Sequence, residues 1–88
     1  MYIHLGQEKV VKASSVIGIF DLESTTISKR TRDFLKKAEK KKEVVNVSFE
    51  LPKSFTVCSD KKSKKTTVYI SQISSSTLYK RLGFIDTL

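Results

Sequence analysis

Two short alternating segments, separated by a lysine-loaded turn, constrain this chain more than any other feature. Phe55 and Val57 alternate with Ser54, Thr56 and Cys58, and Val68 and Ile70 alternate with Thr67 and Tyr69. A period of two is that of half-buried strands, so the spacing predicts strands over residues 54–58 and 66–71 in a sheet with one apolar face. Between them, Ser59-Asp60-Lys61-Lys62-Ser63-Lys64-Lys65 combines turn formers with four lysines and nothing apolar. Such a connection projects into solvent as a positive finger.

The rest of the chain supplies what this pair packs against. Tyr2-Ile3-His4-Leu5 sets Ile3 and Leu5, with Met1, on one side and ends at Gly6 and a Gln7-Glu8 turn, after which residues 9–12 pair back. The continuous apolar run Val16-Ile17-Gly18-Ile19-Phe20 is expected as a central strand buried on both faces, with Gly18 marking a bulge or a close backbone approach. A polar connection over 21–28 follows, in which Thr26 or Ser28 caps a helix running to about Lys42. Its apolar stripe is Ile27, Thr31, Phe34, Leu35 and Ala38. Residues 43–51 alternate, with Val45, Val47, Phe49 and Leu51 on one face, and read as a strand beneath that helix which Pro52 ends. Ser74, Ser75 and Ser76 compete to cap a last helix over residues 77 to about 82, with Leu78, Leu82 and Ile85 facing inward and Gly83 stopping it. The expected fold is a single two-layer α+β domain over residues 1–88. It has a mainly antiparallel sheet of five or six short strands, one long basic amphipathic helix and a short C-terminal helix.

Charge narrows the choice of partner. Seventeen Lys and Arg face nine Asp and Glu, a net charge of +8 with a pI near 9.8, which suits a polyanion such as nucleic acid. Residues 29–42 alone carry eight basic and two acidic side chains. Three readings of that helix stay open: a solvated face whose Lys40-Lys41-Lys42 end complements the helix dipole, a phosphate-contacting face, or a membrane-surface face. A narrow apolar stripe without Trp, needed to cover the sheet, argues against the membrane. Lys80 and Arg81 allow the same choice between helix dipole and phosphate.

Catalytic classes find no support. His4, the one histidine, has no ligand-type neighbour in sequence, and the serine run at 74–76 has no base in register. A phosphate-cradling glycine loop, a carboxylate pair in a recognisable setting and a Cys and His cluster are all missing, so neither enzyme activity nor a metal or other cofactor is expected. Cys58 is the single cysteine, which excludes an intramolecular disulfide and fits a packing role in a reducing compartment. No stretch reads as a signal peptide or approaches the roughly 18 consecutive apolar residues of a membrane span, so a cytoplasmic location is expected. A chain this short is marginally stable alone, and its short sheet edges favour a homo-oligomer.

MYIHLG, VIGIFDLE, PKSFTV, VYIS and ISSSTLYKR, in that order, resemble the extracellular matrix regulators, and the RemB (YaaB-like) branch most closely. The resemblance implies a cytoplasmic protein of Gram-positive bacteria related to RemA, a DNA-binding regulator of biofilm-matrix genes whose subunits close into rings. In the RemA branch, the corner matching residues 50–53 is an arginine-rich loop that touches DNA. Here Lys53 alone is basic, beside Glu50, Leu51 and Pro52, and a second basic position of that branch falls on Ser15. Arginine's planar fork grips phosphate or guanine at two points, and neither Pro nor Ser replaces it.

Two expectations follow. One is a non-enzymatic transcription regulator that holds the backbone of double-stranded DNA with weak sequence selectivity. Lys53, Lys61, Lys62, Lys64 and Lys65 would make contact from the corner and hairpin, supported by Lys29, Arg30, Arg32 and Lys36 on the helix. The other is a ring-forming interaction module that regulates through a RemA-type protein partner without touching DNA itself.

Overall fold

The computed structural model describes residues 1–23 and 28–83. Its elements in chain order are β1 (Tyr2–Gly6), β2 (Lys9–Lys12), a 3-10 turn at Ala13–Ser15, β3 (Val16–Asp21), α1 (Lys29–Lys40), β4 (Val44–Asn46), β5 (Ser54–Ser59), β6 (Thr66–Ser71) and α2 (Ser75–Arg81). The class is α+β, but the strands divide into two sheets. β1 and β2 form an antiparallel hairpin, while β3, β5, β6 and β4 lie side by side in that order. The β3–β5 and β5–β6 pairs are antiparallel and the β4–β6 pair is parallel.

β5 is the strand buried on both faces, a role the apolar run at 16–20 was expected to take. Every residue from Ser54 to Cys58 is buried. Phe55 and Val57 join Val68 and Ala38 beneath α1. Cys58 packs on the other side with Ile3, Leu5, Val11, Ile19, Leu78 and Leu82, from the hairpin, β3 and α2. The sheet is thus the middle of three layers, and the expected single apolar face is replaced by two. The polar half of the β5 alternation is compatible with burial because small hydroxyls can bond main-chain carbonyls. Ser54 Oγ donates to the Ile73 carbonyl at 2.7 Å, and from β6 the buried Ser71 Oγ donates to the Leu5 carbonyl, tying the two sheets together.

β3 is correspondingly an edge strand, with Ile19 buried but Ile17 and Phe20 exposed. Its register shifts between Val16 and Gly18, which is the expected bulge. A Cβ at Gly18 would lie 2.9 Å from the edge of the exposed Phe20 ring, so a larger residue there would displace that ring.

α1 opens at Ser28, whose Oγ accepts from the Thr31 amide at 3.2 Å. The alternative cap, Thr26, and the first stripe residue, Ile27, lie outside the described residues. The helix stops at Lys40, two residues short of expectation, because the chain turns at Lys42 with φ +59°. Ala38 is its one fully buried residue, and Phe34 stays at the rim, stacked 6.2 Å from Phe55.

The strand expected over 43–51 shrinks to Val44–Asn46. β4 pairs with one side of β6 and β5 with the other, so the intervening chain must round the end of β6. It does so with the Val47 amide bonded to the Ile70 carbonyl and the Lys53 amide to the Ser71 carbonyl. Phe49 and Leu51 are left in solvent. α2 is capped by Ser74, which accepts from the Thr77 amide at 3.3 Å, and Gly83 follows it at φ +79°. Leu78 and Leu82 face inward as expected, and Ile85 lies outside the described residues.

Leu78 joins α2 to both sheets, so Leu78→Ala is expected to cost about 2–5 kcal/mol in urea unfolding. Lys40→Ala on the exposed helix end should change stability by less than about 0.5 kcal/mol.

Candidate nucleic-acid interface

The lysine turn is a closed structure and not a loose tether. The Asp60 amide donates to the Lys65 carbonyl at 2.9 Å, and the Lys64 amide returns to the Asp60 carbonyl at 2.7 Å. Asp60 Oδ1 accepts from the Lys62 amide at 3.0 Å, an Asx-type turn that its position before two lysines favours. That amide, then the Ser63 hydroxyl and amide, hold the Asp60 carboxyl below its ordinary pKa, with help from the charge on Lys12. Lys64 sits at φ +57°, completing the reversal. All four lysines of the turn are exposed.

The turn faces the corner where β2 enters the 3-10 turn, and an open cleft of about 650 Å³ separates them. Lys61, Lys62 and Lys65 line one side, Lys12 and Ser15 the other, with Thr67 and Tyr69 of β6 between. Lys9 extends its ammonium over the Tyr69 ring, 5.1 Å from the centroid. Lys9 and Lys12 were missed by sequence reasoning. Their signal was the KVVK composition of β2, but only the docking of the hairpin on the sheet brings it beside the turn.

Cys58 also lines the cleft and packs into the core. Burial pushes its thiol pKa up, partly offset by the Ser15 hydroxyl and the Lys9 charge. Ser15 donates its own hydroxyl to the Lys12 carbonyl at 2.7 Å, bracing the corner.

The nine basic residues expected at a DNA contact fall into three groups. Lys61, Lys62 and Lys65 meet at the cleft, with Lys64 exposed on the same turn. Lys53 immediately precedes β5 at its opposite end, about 20 Å away by strand rise. Lys29, Arg30, Arg32 and Lys36 ride on α1, which covers the other face of the sheet. Arg30 there borders a separate apolar groove of about 310 Å³, formed with Ile17, Phe20, Thr31 and Phe34 over Phe55 and Val57. Arg81, a further basic candidate, donates to the His4 carbonyl at 2.7 Å and so secures α2 to β1. His4 itself bonds through its ring to the Gln7 carbonyl. Among the described residues, no group of three or more His, Cys, Asp or Glu is placed to hold a metal ion, and no helix is long and apolar enough to cross a membrane.

The family model described as RemA-like, Extracellular matrix regulatory protein A-like, matches residues 2–82. The chain belongs to the RemA-like family. That span takes in both sheets and both helices. Within the RemA-like proteins, the chain is 41% identical over 85 residues to Extracellular matrix regulatory protein B of Bacillus subtilis (strain 168), covering 97% of this chain and 94% of that protein. The resemblance carried by the MYIHLG, PKSFTV and ISSSTLYKR motifs is therefore borne out across nearly the whole chain.

The raised thiol pKa has a definite sign. A group whose folded pKa lies above its unfolded value contributes stability that is complete below the unfolded pKa and is lost as pH rises through the folded one. Urea midpoints should therefore fall more steeply on the alkaline side in the wild type than in Cys58→Ala. The native thiol should also react with a disulfide reagent far more slowly than the urea-unfolded chain, and equal rates would show that Cys58 is not a packed residue.

Proposed function

We propose that this chain is a cytoplasmic, non-enzymatic regulator of extracellular-matrix and biofilm genes that binds the backbone of double-stranded DNA as a ring-like homo-oligomer. Family membership over residues 2–82 carries the regulatory assignment. The physical support for DNA is a net charge of +8 with a closed, fully exposed lysine turn at one end of the sheet. Lysine is a point charge without arginine's two-point fork, so such contacts are mostly sequence-independent and strongly salt-dependent. Promoter choice then rests on DNA shape. Lys61, Lys62, Lys64 and Lys65 make the leading contact. Lys53 and the α1 group of Lys29, Arg30, Arg32 and Lys36 are too far apart to join it within one subunit, and serve DNA only where copies are repeated side by side.

The support for assembly lies at the sheet edges. β3 exposes Ile17 and Phe20 at one edge, and β4 exposes Val45 at the other. Contacts between opposite edges of identical subunits run head to tail, and such contacts close into rings when the rotation permits.

A second reading is favoured by the same corner. Glu50, Leu51 and Pro52 stand exposed where the RemA branch carries basic residues, and an exposed Phe49 beside them suits a protein surface better than phosphate. On that reading the ring acts through a RemA-type partner and leaves DNA to it.

Fluorescence anisotropy of a promoter-length duplex across a salt series separates the two, with mass followed by light scattering. DNA binding by the oligomer predicts affinity that falls with salt at a log–log slope near −0.9 per phosphate neutralised. Changing Lys61, Lys62, Lys64 and Lys65 together to Glu should then weaken binding by about 100-fold or more at low salt. An unchanged affinity would remove the turn from the interface. No binding by the wild type at low salt, with capture of a RemA-type protein, would establish the second reading.

A further inference from the structure

We propose that the cleft between the lysine turn and the β2 corner is a receptor for compact polyphosphates, small molecules with two or more adjacent phosphate groups, either inorganic or carried on a nucleoside. The inference goes beyond the DNA reading and stands without it.

Three observations carry it. The first is shape. A cavity of about 650 Å³ lies within the roughly 300–1,000 Å³ of small-ligand sites, whereas lysines that merely solubilise a surface need no concavity. The second is charge. Lys12, Lys61, Lys62 and Lys65 line the cleft against the single carboxylate of Asp60, a lining charge of 4 − 1 = +3. The Asp60 carboxylate keeps its charge but is turned to the turn's own amides and the Ser63 hydroxyl, so the four lysines outweigh it. Cations converging from residues 12 and 61–65 repel one another, and a compact multivalent anion relieves that repulsion at several points at once. The third is the polar lining. Thr67 of β6 and the exposed Ser14 at the corner add hydroxyl donors of the kind that complete a phosphate's shell.

Tyr69 also lines the cleft, and Lys9 lies over one face of its ring at 5.1 Å. That ammonium adds to the local positive field. The cleft lining is otherwise cationic and hydroxyl-bearing, so recognition rests on the number and adjacency of phosphates. A duplex backbone carries one charge per phosphate, spaced along a convex surface, and meets the exposed turn lysines from outside, whereas a compact polyphosphate fits among Lys12, Lys61, Lys62 and Lys65 within the cleft.

Isothermal titration of the whole chain with pyrophosphate, tripolyphosphate, ATP and sulfate, at constant ionic strength, tests the site. The expected result is saturable binding at one per chain for the polyphosphates. Affinity should rise from pyrophosphate to tripolyphosphate, with ATP close to tripolyphosphate and sulfate much weaker. Lys12→Ala and Lys65→Ala should each weaken tripolyphosphate by about ten-fold, while Lys29→Ala with Lys36→Ala changes nothing. All four positions are exposed, and unchanged urea midpoints would confirm that the variants fold.

Polyphosphate binding no tighter than sulfate, or indifferent to Lys12 and Lys65, would overturn the proposal. ATP far tighter than tripolyphosphate would overturn recognition by phosphates alone. Duplex DNA titrated into the same preparations keeps the two readings distinct. Saturable polyphosphate binding without DNA binding leaves the cleft standing and ends the DNA assignment, and the converse result ends the cleft and keeps DNA.

Discussion

The structure depends on β5 being buried from both sides. A strand in that position must satisfy its polar side chains inside the protein, because water reaches neither face. Ser54 does so on the Ile73 carbonyl, and on the neighbouring strand Ser71 does so on the Leu5 carbonyl. Thr56 Oγ1 is the exception, buried without a partner among the described residues. These bonds also determine what may cover the strand. α1 packs Ala38 and Leu35 against Phe55 and Val57, and the hairpin brings the Leu5 carbonyl that Ser71 requires. Replacing the hairpin with a second apolar helix would leave that hydroxyl stranded.

The electrostatics follow from this packing. β5 and β6 pair in register as far as Ser59 and Thr66, so their connecting turn must leave the sheet just beyond Cys58. The hairpin must cover Cys58 from the other side, and in doing so it carries Lys9 and Lys12 to that same end. The positive cleft is thus a by-product of covering one buried strand. It sits at the opposite end of β5 from Lys53 and on the opposite face from α1.

Local pattern made much of this readable. The strands at 2–5, 54–58 and 66–71 were evident from alternation, because a period of two survives whichever sheet a strand joins, and 9–12 followed from the turn at Gly6 to Glu8 that lets it pair back. Serine caps were narrowed to the right clusters, with Ser28 and Ser74 filling the role. The rank of each strand was not readable. A continuous apolar run at 16–20 and an alternating one at 54–58 suggest an interior and a half-exposed strand, and the fold reverses them. β3 meets a neighbour on one side only, and β5 owes its burial to layers contributed by distant segments. The overlong strand at 43–51 failed for a topological reason, since alternation cannot reveal that the chain must leave β6 to reach its far side. The candidate site was half legible. The turn lysines stand together as a run, while Lys9 and Lys12 join them through a contact that spans about fifty residues.

That division bears on how so small a domain can be stable and still useful. Both faces of the sheet are covered within one chain, so the core is complete, but the two edges are not. Ile17 and Phe20 flank an apolar groove at one edge, Val45 is exposed on β4 at the other, and Phe49 stands wholly in solvent where the chain rounds the end of β6. A monomer that leaves these side chains in water forgoes roughly 25 cal/mol for every Å² of apolar surface that a neighbour could cover. The lysines of the β5–β6 turn lie elsewhere, whereas Arg30 of α1 borders that groove. Joining copies through the apolar edges would leave those lysines unobstructed and repeat them around the assembly. Association by the edges and anion binding by the turn then make no competing demands on the same residues, so each can change in sequence without loss of the other.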